Sequence, residues 1–233
     1  MTMDTIHWKE GGLGGTIYRT QGAKALAYIL EPEPVTDKVA SVAEELSLTL
    51  VSISGMDWNR DLSPWKAEKV FKGEEDFSGG ADDFMEKLEQ KVFPVIEEMA
   101  GPLPGHRMMA GISLSGLFAL YMGTRSSAFS AIASISGSLW FDGFTDFVRK
   151  TGLHPAVKRV YLSLGDREKK TGNPRMARVE SATLEMEGIL KEKGVETVFQ
   201  MNRGNHFVHG AERLEEALRY LITGRVWKGP HSL

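Results

Sequence analysis

The feature that most constrains this chain is a series of short apolar runs that do not alternate with polar residues, separated by stretches of helical periodicity. Ala23 to Leu30, Leu48 to Ile53, His106 to Ala110, Ala131 to Ile135, Val157 to Leu164 and Thr197 to Met201 each have the length of a strand. A strand apolar at successive positions is covered on both faces, as in a parallel sheet sandwiched between helices. The intervening stretches supply those helices. They are Val35 to Leu46, Ala81 to Met99, Leu114 to Met122, a segment opening at Asn173-Pro174 and closing at Gly194, and a final one carrying Leu214, Ala217, Leu218 and Leu221. Pro94 lies inside the second and should kink or split it. The expected fold class is therefore α/β, a mainly parallel sheet with helices on both faces. Antiparallel edge strands are expected around Ile17 and Tyr18. No internal repeat or long linker interrupts the pattern, and 233 residues suit a single domain over 1–233.

Composition narrows the function classes. The net charge of −3 is spread along the chain, and no basic block offers a footprint for nucleic acid. The absence of cysteine excludes disulfides, thiolate catalysis and thiolate metal sites. No constellation of metal ligands is apparent, so no metal is expected. Neither a signal-peptide pattern nor an uncharged apolar stretch long enough to span a bilayer is present, which makes the cytoplasm the expected location. The acidic cluster Glu74, Glu75, Asp76 fits a solvated loop.

Chemistry enters at Ala110-Gly111-Ile112-Ser113-Leu114-Ser115-Gly116, between a strand and a helix. A serine in that context occupies a tight turn that projects its hydroxyl from the sheet, and the neighbours two residues away must be small. Gly111 meets this demand, while Ser115 stands where a second glycine is usual. The following helix N-terminus favours developing negative charge, and the Leu114 N–H is placed to meet it. A competing serine-rich turn, Ser136-Gly137-Ser138, lacks a helix after it.

A hydroxyl needs a base to become nucleophilic near neutral pH. In strand-to-helix serine hydrolases the order is serine, acid, histidine, with the histidine after the last strand. Of six histidines, His206 in Arg203-Gly204-Asn205-His206-Phe207 is so placed, with His209 as the alternative. The acid belongs after the strand ending at Leu164, where Gly165-Asp166-Arg167-Glu168 offers Asp166 and Glu168. Its task is to hold the imidazole tautomer and stabilise the imidazolium.

Taken together, GISLSGLFALYMG, SISGSLWFDGF, VYLSLGDREKKTGNP and GNHF resemble the compact esterases of the α/β-hydrolase superfamily. That group is related to esterase D, S-formylglutathione hydrolases, feruloyl esterases and siderophore esterases. The resemblance runs from about Ala23 to the final helix. It implies an α/β-hydrolase fold without a large lid, and hydrolysis of a small-molecule carboxylic ester through an acyl-enzyme, with no metal or organic cofactor. In many such hydrolases the acid lies three residues after the strand-terminal glycine, which selects Glu168 over Asp166. Many relatives carry a His-Gly-Gly type oxyanion segment after the strand corresponding to Ala23 to Leu30. Here Glu31-Pro32-Glu33-Pro34 takes its place, so the second donor falls to Glu33, Val35 or another group, because proline has no N–H. Trp58, Arg60 and Trp140, with Trp65, are candidates to line the substrate pocket. Arg60 either binds a substrate carboxylate or pairs with Asp61. The alternatives are acyl transfer on the same residues, or a non-catalytic hydrolase-fold protein that binds a ligand.

Overall fold

The structure, a computed structural model, describes residues 3–32, 35–101 and 105–233. Strands β1 (Met3–Glu10), β2 (Leu13–Thr20) and β3 (Ala25–Leu30) lead into helix α1 (Asp37–Glu45) and β4 (Leu48–Ile53). The short α2 (Trp58–Asp61) and a small ladder of β5 (Lys66–Ala67) with β6 (Phe77–Ser78) follow. Next come α3 (Ala81–Lys87), α4 (Phe93–Ala100), β7 (His106–Ile112), α5 (Leu114–Gly123), β8 (Ala131–Ile135) and α6 (Phe144–Thr151). The chain continues through β9 (Arg159–Gly165), α7 (Val179–Glu192), β10 (Glu196–Asn202) and α8 (Gly210–Thr223).

The apolar runs pair into one sheet of order β1-β2-β4-β3-β7-β8-β9-β10. From β4 to β10 every pairing is parallel, and β1 and β2 add the antiparallel edge expected near Ile17 and Tyr18. Strands β3, β4 and β8 are buried at every position, which is why their sequences do not alternate. On one face α1 and α8 cover Ala27, Leu50, Ala110, Ala133 and Tyr161. The opposite face buries Leu26, Tyr28, Met109, Ile132 and Leu162 beneath α3 to α7. Among the described residues, no helix is long and apolar enough to cross a membrane.

One expectation about the helices is met and one needs correction. The helix Ala81 to Met99 is divided: a π-helical turn at Leu88–Val92 separates α3 from α4, and Pro94 sits in the first turn of α4. Pro94 has no N–H to return to the preceding turn, and the wider turn absorbs the clash of its ring. The helix expected from Asn173-Pro174 starts later. Asn173 Oδ1 accepts from the N–H groups of Arg175 and Met176, a 3-10 turn follows at Met176–Arg178, and α7 begins at Val179. The asparagine therefore closes a local turn instead of capping the helix.

Candidate active site

Parallel strands align their C-terminal ends, and loops leaving β7, β9 and β10 meet there. Ser113 leaves β7 with φ 64° and ψ −124°, a conformation costly for any residue with a Cβ. The turn is held by hydrogen bonds from Ser113 N–H to the Ile135 carbonyl and from Ser138 N–H to the Ser113 carbonyl, both 3.0 Å. Gly111 is obligatory: a Cβ there would overlap the Ser115 carbonyl group. Ser115, the departure from a second glycine, has its own work. Its hydroxyl lies 2.8 Å from the Ile112 carbonyl and 3.2 Å from Glu31 Oε1. The same carboxyl oxygen accepts from Ile112 N–H at 2.8 Å. Glu31 thus braces the elbow from the end of β3. Burial pushes its carboxyl up to about 7, against the lowering effect of those two hydrogen bonds.

His206 Nε2 lies 3.0 Å from Ser113 Oγ, and its Nδ1 lies 2.9 Å from Glu168 Oε2. Hydroxyl, imidazole and carboxylate in series are what general-base activation of a serine requires. The choice between Glu168 and Asp166 is one of reach. Asp166 turns back to accept the Gly204 N–H at 2.8 Å, tying the β9 loop to the β10 loop. Glu168 alone of the two contacts the imidazole. Its other oxygen, Oε1, accepts from the Ser136 hydroxyl at 2.7 Å, from Arg213 Nη1 at 2.9 Å and from the Gly165 N–H. Only Oε2 is left for His206. Burial pushes the Glu168 carboxyl up, but the hydrogen bonds from His206, Gly165 and Ser136 outweigh it and hold the group below its ordinary range. His209, the alternative base, stacks its ring on His231 with centroids 3.6 Å apart and is not part of this series.

Arg213 and Ser136 were not anticipated as site residues. Arg213 is 1% exposed, and its guanidinium also reaches the Asn205 carbonyl at 3.1 Å. One signal was available in sequence: Arg213 falls four residues before Ala217, on the apolar stripe of α8, where a cation needs a buried partner. Ser136 had been set aside as a rival nucleophile. Its φ of 47° aims the hydroxyl at Glu168 instead.

Above Ser113 and His206 lies an open cavity of about 160 Å3, walled by Trp58, Phe71, Phe77, Trp140, Met176 and Phe207. Two of the pocket candidates, Trp58 and Trp140, are therefore in place. Trp65 is not; it packs among Tyr121, Phe141, Phe144 and Phe147 and donates to the Asp142 carbonyl. Of the two readings of Arg60, the structure shows the pairing with Asp61 and not a place in the pocket. Arg60 faces solvent outside the cavity, with Nε 2.8 Å from Asp61 Oδ1, the local pair that draws it away. No lysine or arginine is among the described lining residues, whereas Glu74, from the acidic loop, is one of them. Leu114 also lines the cavity, and its N–H falls in the first turn of α5, where helix amides lack intrahelical acceptors. Glu33, the candidate second donor, lies outside the described residues.

The profile of a family described as "Putative esterase" matches residues 5–210. "Uncharacterized protein YbbA" of Bacillus subtilis (strain 168) is 29% identical over 150 residues, 63% of this chain and 60% of that protein. The match thus spans less than two thirds of that relative's length. In three dimensions the chain is similar to an IroE-like serine hydrolase from Shewanella oneidensis, with TM-score 0.77 and 20% identity over 95% of this chain and 80% of that one. It is also similar to the siderophore hydrolase EstB from Aspergillus nidulans, with TM-score 0.74 and 17% identity over 98% and 97% of the two chains. At these identities the likeness is one of fold.

Proposed function

This chain belongs to the "Putative esterase" family, and on that premise we propose that it hydrolyses a small-molecule carboxylic ester through an acyl-enzyme on Ser113. The observation that carries the reading is the unbroken series Ser113 Oγ, His206, Glu168 at 3.0 and 2.9 Å. His206 Nε2 takes the hydroxyl proton as Ser113 Oγ attacks the ester carbonyl. Its Nδ1–H remains bonded to Glu168 Oε2, which stabilises the imidazolium. The negative charge on the former carbonyl oxygen is met by the Leu114 N–H. Collapse expels the alcohol, protonated from Nε2, and leaves the acyl group on Ser113. A water then repeats the sequence with His206 as base and releases the acid. The protein's part in this is positional: Arg213, Ser136 and Gly165 saturate one carboxylate oxygen, so the other can face only the imidazole, which fixes the tautomer that accepts a proton from serine.

The substrate reading follows from the wall. Aromatic and aliphatic side chains, with no lysine or arginine among the described lining residues, favour an uncharged ester carrying an apolar acyl or aryl group. An anionic ligand would meet Glu74 and, among the described lining residues, no lysine or arginine. We read residues 1–233 as one domain carrying this site. Intact-mass analysis after a fluorophosphonate probe tests the assignment. One adduct is expected on the wild type, none on Ser113→Ala, and much slower labelling on His206→Ala. An unlabelled but folded wild type would refute it.

A further inference from the structure

Outside the cavity, His209, Glu212 and His231 bring two imidazoles and a carboxylate together, with one ligand atom from each within 4.8 Å of the others. They come from two places in the chain. His209 precedes α8 with a left-handed φ of 62°, and Glu212 follows within the first turn of that helix. His231 belongs to the segment that returns alongside β10, bridging Ser232 to Asn202. Backbone contacts already hold this return. Arg203 N–H donates to the His231 carbonyl at 2.7 Å, Leu233 N–H to the Met201 carbonyl at 3.0 Å, and the Ser232 hydroxyl to Glu216 Oε1 at 2.9 Å. The three side chains are thus presented by fixed backbone. The two rings stack with centroids 3.6 Å apart and planes at 19°. Glu212 faces Lys38 Nζ at 3.6 Å, but Lys38 has a second carboxylate, Glu215, at 3.5 Å to which it can turn.

We propose that His209, Glu212 and His231 form a binding site for a divalent transition cation of the zinc type. Two imidazole nitrogens and one carboxylate oxygen are a donor set that zinc accepts, whereas calcium and magnesium prefer oxygen alone. Tetrahedral binding with bonds of about 2.0–2.1 Å places ligand atoms about 3.3 Å apart. The present spread closes to that by side-chain rotation, which unstacks the rings. All three residues are partly exposed, which gives the ion an entry path and leaves a fourth position for water. The consequence is mechanical. Loop 203–209 carries His206, and a cation here clamps its far end to the segment 229–233, whose backbone already grips its near end at Arg203. The site is structural and takes no part in the chemistry at Ser113.

Cobalt(II) provides the probe, because its visible bands report ligand number and zinc displaces it. The wild type is expected to bind one Co2+ with a dissociation constant below about 10 μM, and zinc should raise the thermal midpoint. Binding should weaken at least about tenfold in His231→Ala, and again in Glu212→Gln, a second variant that leaves both rings in place. It should survive in His206→Ala. Circular dichroism of each variant checks folding, so that loss of binding is not confused with loss of structure. The proposal is overturned if no saturable binding occurs below about 100 μM. It is equally overturned if binding disappears with His206→Ala and persists with His231→Ala, since the ion would then sit on the histidine beside Ser113.

Discussion

Glu31→Gln isolates the carboxyl that braces the nucleophile turn. In the folded protein Glu31 titrates at about 7 against an ordinary 4.5, because burial outweighs its hydrogen bonds to Ile112 and Ser115. The unfolded chain therefore releases this proton first, and between the two values the folded state holds the extra proton. The contribution of Glu31 to stability is complete below pH 4.5 and is lost as pH rises through about 7. A shift of that size corresponds to about 3 kcal/mol at about 1.36 kcal/mol per pH unit, and to about 2 kcal/mol once the partial contact of the carboxyl with water is discounted. Glutamine keeps the shape and the acceptor oxygen but cannot ionise. Urea unfolding at pH 5 and pH 8 should then show the wild type losing about 2 kcal/mol more than E31Q between the two conditions. At pH 8 the variant should be the more stable protein. Every other titrating group is common to both proteins and cancels in the comparison. Parallel pH dependence, within about 0.5 kcal/mol, would refute the claim that a buried ionising carboxyl lies beneath the elbow.

Three further outcomes follow from the same geometry. Glu168→Gln should lower kcat by about 10³- to 10⁴-fold through loss of the tautomer-fixing charge, while Asp166→Asn should cost less than about tenfold; steady-state kinetics on one ester separates the two carboxylates. Arg213→Met strands the buried Glu168 carboxylate without its cation and should destabilise the protein by about 3–5 kcal/mol in urea unfolding. 4-Nitrophenyl butyrate should be preferred over the anionic 4-nitrophenyl hemisuccinate by about tenfold or more in kcat/KM; equal rates would show that the cavity wall does not select against charge.

Sequence periodicity made the sheet legible because each parallel strand is buried on both faces. The limits of β4 at Leu48–Ile53 and β8 at Ala131–Ile135 coincide with the apolar runs themselves. Ser113 and His206 were legible for a related reason: each sits at the junction of a recognisable strand with its following loop. Glu168 was favoured over Asp166 only through the spacing seen in the hydrolases it resembles, since both leave the same strand and only the turn decides which carboxyl reaches the imidazole. Arg60 was open between two readings because a bidentate cation looks the same in sequence whether it faces a substrate or its neighbour Asp61. Glu31 and Arg213 were missed as site residues because their partners lie 81 and 45 residues away, at Ile112 and Glu168. The pairing of Glu31 leaves no periodicity to read, and that of Arg213 shows only as a cation on an apolar stripe, without its partner.

The grip of Arg213 on Glu168 has a temporal side. The acid leaves β9, yet its Oε1 anchor arrives on α8, near the end of the chain, and the same guanidinium holds the carbonyl of Asn205 beside His206. Until that helix docks, the carboxylate lacks its cation and the histidine loop lacks the guanidinium that holds the Asn205 carbonyl. On the proposed mechanism, a chain that has formed its sheet but not seated α8 carries Ser113 in place and is expected to be inert. Regained activity during refolding is then a reporter of the seating of α8.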